Sequence, residues 1–401
     1  MKINKLDVYL HQTLTGQLSI ASTGELSFRY DESYLHQTQS PPLSFSLPLS
    51  DKNYSAVQCR PFFSGLLPEA NLRSALARQL GISEKNDFSL LTALGGECAG
   101  AIALLPPSQP LLSLTPDYKV LNKAELKKVL KTMHQRPMIV GEDGLRLSLA
   151  GAQDKLPIAV IDDQIALPRN GAPSTHILKP INRDFLSLIE NECFCLNLAR
   201  TIGLNAVKAT LHHCDNLVYL LVERYDRTLS DQGIIRLHQE DFCQALGIPP
   251  EMKYQREGGP AIKDCFNLLR KVSSLPVIDL KYLLQAILFN VIIGNNDAHG
   301  KNFSLLHMNK QIRLAPFYDL ISTTHYKNLS AKMAMKIGSK YDFSRLFPRH
   351  FDQMSLEASL SPSLVRKELS SLIGKIKAAI AESPFTPDIL MRGEKLLQRL
   401  Q

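Results

Sequence analysis

The sequence predicts an α+β chain built as two lobes around a cleft, the upper rich in strands and the lower largely helical, with a small mixed subdomain ahead of both. Three observations predict it. Strand-like runs crowd the chain up to residues 218–226, after which the periodicity turns helical, ending with Leu364, Leu369, Leu372, Ile373 and Ile376 at 3.6-residue spacing. Residues 286–293 are apolar almost all round, as in a buried helix, and run straight into a polar loop and then a short strand at 312–317. Finally, Pro106, Pro107, Pro110 and Pro116 interrupt the pattern after the first 105 residues or so and mark a linker.

At 401 residues the chain exceeds one ordinary core, and the divisions expected are 1–105, 106–230 and 231–401. Hydrophobic content of 44% with 21% charged residues is that of an ordinary globular protein. The seven cysteines form no Cys-x-x-Cys pair, which argues for reduced thiols and against a disulfide or zinc framework. The first residues lack the apolar core of a signal peptide and no run of 18 apolar residues occurs, so a cytoplasmic protein with no membrane partner is expected. A net charge of +8 permits a polyanionic partner. Part of the excess lies in 327–349, where Lys327, Lys332, Lys336, Lys340, Arg345 and Arg349 face the single acid Asp342. Such a stretch reads as a solvated face or as a surface for DNA phosphates or an acidic substrate.

Along the chain, 6–10 and 25–30 read as strands joined around Gly16 and Gly24. Pro68 and Glu69 open a helix that carries Leu72, Leu76 and Leu80 and stops at Gly81; 87–94 forms another. Asn122 to Glu125 reads as a capping box ahead of the stripe Leu126, Val129, Leu130 and Met133. Residues 145–150 are expected as a strand entering the loop Gly151-Ala152-Gln153-Asp154-Lys155, with 156–160 returning. Small residues there would let backbone N–H groups approach phosphates, although one Gly makes no known fingerprint and a plain hairpin fits equally. The β-rich run 175–179 ends in Lys179, placed either to reach phosphates or as an edge charge. A helix opens at Asn191-Glu192. Glu192 is open to two readings, a partner of Lys179 or an acid favouring the helix N-terminus; the second is preferred, Glu190 being an equal candidate for the pair. The apolar strand 218–226 breaks into charges as a hinge between lobes would, and helices are expected at 239–246, 261–273, 279–293 and 363–382.

The chemistry concentrates in Gly294-Asn295-Asn296-Asp297-Ala298-His299-Gly300-Lys301-Asn302 and Pro316-Phe317-Tyr318-Asp319. Asn302 follows Asp297 by five positions and Asp319 follows Asn302 by seventeen. Phosphoryl transfer in protein kinases needs those types at that offset: a carboxylate facing the attacking hydroxyl, then an amide oxygen and a second carboxylate to hold magnesium. His299 contacts the nucleotide or braces the loop, with bracing preferred.

With these motifs quoted, the chain resembles the HipA family, serine/threonine kinases that act as toxins of toxin–antitoxin pairs. The resemblance runs from 62–69 to the C-terminal helices and includes Ser148 to Lys155, Thr175 to Lys179, Glu223 to Asp226 and Leu237 to Asp241. It implies a two-lobed protein-kinase-like fold with a small N-terminal mixed subdomain and a helical C-terminal lobe. It implies Asp297 as the catalytic residue, Asn302 and Asp319 as Mg2+ ligands, and ATP contacts from Ala150, Gly151, Ala152, Gln153, Asp154, Lys155, Lys179, Glu223, Arg224, Tyr225, His299, Asn302, Tyr318 and Asp319. It further implies autophosphorylation at Ser148, which ejects the loop and silences the enzyme. Some relatives carry a second Ser two positions earlier, where this chain has Arg146. The partners implied are a helix-turn-helix antitoxin of the HipB type, operator DNA through that complex, and an aminoacyl-tRNA synthetase as substrate. The rival readings are a catalytically inactive, kinase-shaped co-repressor that acts by binding a DNA-binding antitoxin, and a small-molecule kinase.

Overall fold

The structure is a computed structural model that describes residues 3–38, 40–107, 109, 117–133, 138, 148–151, 153–182, 184–231 and 233–400. Its first region is a four-stranded antiparallel sheet in which Lys5–Leu10 lies between Thr13–Ile20 and Ile102–Leu105, with Leu26–Tyr30 at one edge. Alternation along Lys5–Leu10 buries Leu6, Val8 and Leu10 on one face, the period of two expected of a half-buried strand. Helices Ala56–Gly65, Ala70–Leu80 and Asp87–Leu94 cover that face, and Phe28, Phe62 and Phe63 fill the space between. The expectation that Gly16 makes a turn is corrected. It lies inside Thr13–Ile20, where a Cβ would fall 2.3 Å from the Arg29 carbonyl oxygen and 2.8 Å from the Phe28 ring. Glycine is there for close approach within the sheet. The Ala70–Leu80 helix ends as expected, with Gly81 at φ 66° supplying the left-handed cap.

The second sheet has six strands and forms the upper wall of the cleft. Its order from one edge is Asp117–Val120, Gln164–Arg169, Leu156–Ile161, His176–Pro180, Leu217–Glu223, Ala209–Cys214. The helix Lys123–Thr132, with the predicted Asn122/Glu125 capping box, packs on one face, and Leu188–Thr201 on the other. The His176–Pro180 strand is central, so Lys179 is no edge charge. The strand expected over 145–150 is not seen where it can be judged: Ser148 to Ala150 has no strand geometry, while 145–147, Arg146 and Ala152 lie outside the described residues, as does most of the proline-rich stretch 106–116.

The lower lobe is helical. Pro276–Ile293 is its axis, buried over most of its length against Ile262–Val272, Pro362–Ala379 and Thr386–Leu400. By length and composition this helix would pass for a membrane span, but two thirds of it (67%) is buried inside the protein. The helix expected to begin at 239 begins at Phe242. His238–Asp241 is instead a strand paired with Ser304–Met308, which in turn pairs with Gln311–Leu314. Asp241 caps the helix by accepting from the Gln244 N–H at 2.9 Å, a capping box that marks the true start. The seven cysteines are buried free thiols.

Candidate active site

A cleft of about 900 Å3 lies between the six-stranded sheet and the lower lobe. On the upper strand, Ile177 and Lys179 are two apart and share the face that lines the cleft, while Leu178 points into the core beneath the sheet. Lys179 is 5% exposed and its ammonium donates to Glu192 Oε1 at 2.7 Å, Glu192 Oε2 at 2.8 Å and Asp319 Oδ1 at 2.9 Å. Glu192 is therefore the partner of Lys179, which corrects the preference for a helix-terminus role. The helix starts at Leu188, so Glu190 occupies its first turn and Glu192 lies further in, on another face. Burial pushes the Glu192 carboxyl up against the pull of Lys179. Burial also works against Asp319, but Lys179 and Lys155 hold its carboxyl well below the usual range.

The lower wall is the loop after Pro276–Ile293. Gly294, at φ 76°, ends the helix in a place where a Cβ would meet Thr324 Oγ1 at 2.4 Å. Asn295 then ties the loop in three directions: its amide donates to Asn290 Oδ1 at 2.9 Å and to the Asp319 carbonyl at 3.3 Å, and its Oδ1 accepts the Asp297 N–H at 3.0 Å. Asn302 Oδ1 accepts the His299 N–H at 3.1 Å, and its Nδ2 lies 3.4 Å from Asp319 Oδ2. Asp297 is exposed to the cleft and accepts one side-chain hydrogen bond, 2.7 Å long, from the Tyr254 hydroxyl. His299 is buried, with Nδ1 unpartnered among the described residues; burial and Lys253 push its imidazole down to about 4, so the ring is neutral at neutral pH. The hydrogen bonds that tie His299 to Asp297 and Asn302 come from its main chain. Asp319 itself sits at φ 54°, an uncommon conformation for a side-chain-bearing residue, costing roughly 1–3 kcal/mol. Two residues earlier, the Phe317 backbone bonds Asn205 and Val207.

The loop expected over the nucleotide is anchored from the N-terminal subdomain. Ser148 is fully buried; its hydroxyl donates to the Leu66 carbonyl and its N–H to that of Glu97, both at 2.8 Å. Leu149 joins the core of the first sheet. Gly151, at φ 108°, bridges Pro68 and accepts from the Glu69 N–H at 3.1 Å; a Cβ there would lie 2.3 Å from Lys155 Nζ. Burial lowers the Lys155 ammonium to about 8, and it donates to the Ala150 carbonyl. Gln153 and Asp154 also line the cleft.

At the hinge, the N–H groups of Glu223 and Arg224 are engaged by the carbonyls of Lys208 and Thr175, both at 2.9 Å. The Arg224 guanidinium is committed to Asp226 at 2.7 Å and to Glu97 at 3.4 Å. Tyr225 stacks on Tyr318, with centroids 5.6 Å apart, and the Tyr318 hydroxyl donates to the Lys301 carbonyl at 2.7 Å. Residues to which the sequence reading gave no role in the site complete the floor. Lys301 pairs with Asp241 at 2.6 Å and Lys253 with Glu69 at 2.8 Å, while Tyr254 reaches Asp297. Of the basic stretch, Lys332 lines the cleft mouth.

A strand-rich lobe and a helical lobe, closing on a buried Lys–Glu pair, an Asp–Asn pair and a second carboxylate in the loop below, define a kinase-like protein. The chain belongs to the HipA family: residues 6–105 match the HipA N-terminal domain and 147–382 the HipA-like C-terminal domain. The protein Y4mE of Sinorhizobium fredii is 44% identical to it over 386 residues, which cover 95% of this chain and 92% of that protein. The serine/threonine-protein kinase toxin HipA of Shewanella oneidensis is 31% identical over 392 residues, 94% of this chain and 88% of the relative. Among solved structures, the HipA, HipB and operator DNA complex of Shewanella oneidensis MR-1 superposes with a TM-score of 0.86 at 28% identity over 98% of both chains.

Proposed function

We propose that this HipA-family kinase is an ATP- and Mg2+-dependent serine/threonine-protein kinase, the toxin of a toxin–antitoxin pair, silenced by autophosphorylation at Ser148. The observation that carries the reading is Lys179, held at once by Glu192 and by Asp319, with Asn302 beside the other Asp319 oxygen and Asp297 open to the cleft. The donor set suits magnesium. Among the described residues no cluster of three metal-ligating side chains forms a preformed cage. Asp319 offers the carboxylate, while Asn302 Oδ1 here accepts the His299 N–H and Nδ2 faces Asp319, so the amide would have to present its oxygen to the ion, with nucleotide phosphates supplying the rest of the shell. Magnesium-ATP, when bound, supplies the transferable phosphoryl group and neutralises charge on its oxygens.

The protein's part is to bind, orient and exclude water. Asn302 and Asp319 hold the metal, and Lys179 and Lys155 provide positive charge for the phosphates. Gly151, which lines the cleft, would let its backbone approach them. The hinge can read adenine through its carbonyls and the Tyr225 N–H, since the two preceding N–H groups are engaged in the sheet. Asp297 orients the acceptor hydroxyl and takes its proton late; a carboxylate of ordinary pKa about 4 is a weak base, so charge stabilisation by the lysines does most of the work. The division into a subdomain at 1–105, an upper lobe at 106–230 and a lower lobe at 231–401 belongs to this reading, as do a cytoplasmic setting, a HipB-type helix-turn-helix antitoxin, operator DNA reached through it, and an aminoacyl-tRNA synthetase as substrate.

The test is intact mass after incubation with magnesium-ATP, for the wild type and Asp297→Asn. The wild type should gain one phosphate, mapped to Ser148, and the variant none. If neither gains phosphate and the purified wild type carries none, the co-repressor reading replaces this one.

A further inference from the structure

We propose that Tyr254 is a positioning residue for phosphoryl transfer: its hydroxyl holds one oxygen of Asp297 so that the other faces the acceptor. The inference rests on the reading of Asp297 given above. The Asp297 backbone is fixed at both ends, its N–H by Asn295 and its carbonyl by the His299 N–H at 2.8 Å. The carboxylate is another matter. It projects into an open cleft, and among the described residues the one side chain that hydrogen-bonds it is Tyr254, at 2.7 Å. A carboxylate on two rotatable bonds samples several orientations in water. A hydroxyl donor on one oxygen restricts it and leaves the second oxygen for the nucleophile.

Tyr254 is built to do this. Its ring meets His299 edge to face at 5.4 Å, and Lys253 and Arg256 lie 5.4 Å and 5.6 Å from its centroid. The flanking residues pin it from both sides of the cleft. Lys253 bonds Glu69 of the N-terminal subdomain, while the Gln255 N–H donates to the Ala334 carbonyl at 3.1 Å and Gln255 Oε1 accepts the Lys336 N–H at 2.9 Å. The Tyr254 carbonyl accepts the Gly259 N–H at 2.9 Å, closing a turn that needs Gly258 at φ 100°. Burial and the neighbouring Asp297 raise the phenol well above its ordinary value, so it remains a donor across the working pH range. Because Glu69 also donates its N–H to Gly151, the segment that aims Asp297 and the loop above the phosphates share one anchor residue.

The experiment compares wild type, Tyr254→Phe and Asp297→Asn by the initial rate of phosphate incorporation, read by intact mass against magnesium-ATP concentration. Affinity for a fluorescent ADP analogue and the thermal midpoint are measured alongside. Tyr254→Phe keeps the ring on His299 and removes the donor alone. The expected result is a fall in kcat of roughly tenfold to a hundredfold, the cost of losing orientation, with KM for ATP, nucleotide affinity and the midpoint unchanged. An unchanged or faster rate would overturn the proposal, since Tyr254 would then be a wall or an obstruction. A loss that tracks nucleotide affinity or the midpoint overturns it too, because the role is then structural. Full activity in Asp297→Asn marks the separate failure of the reading of Asp297.

Discussion

The two loops that face each other across the cleft are held in opposite ways. The lower loop, 294–302, is secured mostly from within its own lobe: Asn290 and Asn295 pair at the end of a buried helix, Asn302 bonds His299, and Thr323 Oγ1 accepts the Asn296 N–H at 2.6 Å. Among the contacts of the described residues, Lys301 alone reaches the first subdomain, at Gly65 and Glu69. The upper loop, from Ser148 to Lys155, hangs on residues far away in sequence, namely Leu66, Glu69 and Glu97 of the first subdomain. A loop fixed locally keeps its shape whatever its neighbours do. One fixed by a few long-range contacts can be released by disturbing any of them. On the function proposed above, the lower loop serves chemistry and the upper loop control.

The comparison can be pressed by substitution, beginning where both walls meet. Lys179→Met leaves Glu192, its side chain 1% exposed, as an unpaired buried carboxylate beside Asp319. Phosphate incorporation should vanish, and urea unfolding should show a loss of about 3–5 kcal/mol, reduced to the extent that Asp319 reaches solvent. Asp297→Asn should behave differently. Its side chain is exposed to the cleft, so the rate should fall by roughly 10^2–10^4 while the unfolding midpoint stays put. A large stability loss there would mean that the lower loop depends on the carboxylate and is less self-sufficient than described.

Ser148→Asp sharpens the contrast from the other side. It puts a negative charge against the Leu66 carbonyl at a site with no solvent exposure. Nucleotide affinity, followed with a fluorescent ADP analogue, should drop at least tenfold, since burying an unpaired charge costs several kcal/mol and the loop escapes it by undocking. Unchanged affinity would show that the upper loop tolerates release without consequence. The smallest effect concerns acid. His299 is held down to about 4 in the folded protein, below its ordinary 6.5, so between those values the unfolded chain binds a proton that the folded one does not. Stability should therefore fall as pH drops through that window, by about 2 kcal/mol at pH 5 from this residue. Comparing urea midpoints at pH 7 and 5 for wild type and His299→Gln checks it; the variant should lose the smaller amount.

The same contrast explains what the sequence revealed. The lower loop was legible because its evidence is local: an all-round apolar helix, a Gly stop, and Asp and Asn at fixed offsets. The short strand expected after it, seen at Gln311–Leu314, and the Asn122 capping box were readable for the same reason. Glu192 was misjudged because Glu190 and Glu192 differ by about 200° around a helix, and only the true start at Leu188 decides which one turns inward. The strand at His238–Asp241 was taken for helix, although Asp241 and Gln244 form a capping box that places the start correctly. Tyr254 and Lys253 carry no motif, and Glu69 was read only as the opening of a helix and the end of the 62–69 segment. Their roles come from contacts between residues 43 to 184 positions apart, which no periodicity reports.

The most direct test of the division between the two loops is amide hydrogen exchange before and after incubation with magnesium-ATP. Four amides decide it: Ser148 and Glu69, which bond Glu97 and Gly151, and Asp297 and Asn302, which bond Asn295 and His299. Once Ser148 carries phosphate, protection should be lost at Ser148 and Glu69 and kept at Asp297 and Asn302. Phosphate on Ser148 with all four still protected, or with the lower pair lost as well, would contradict the account.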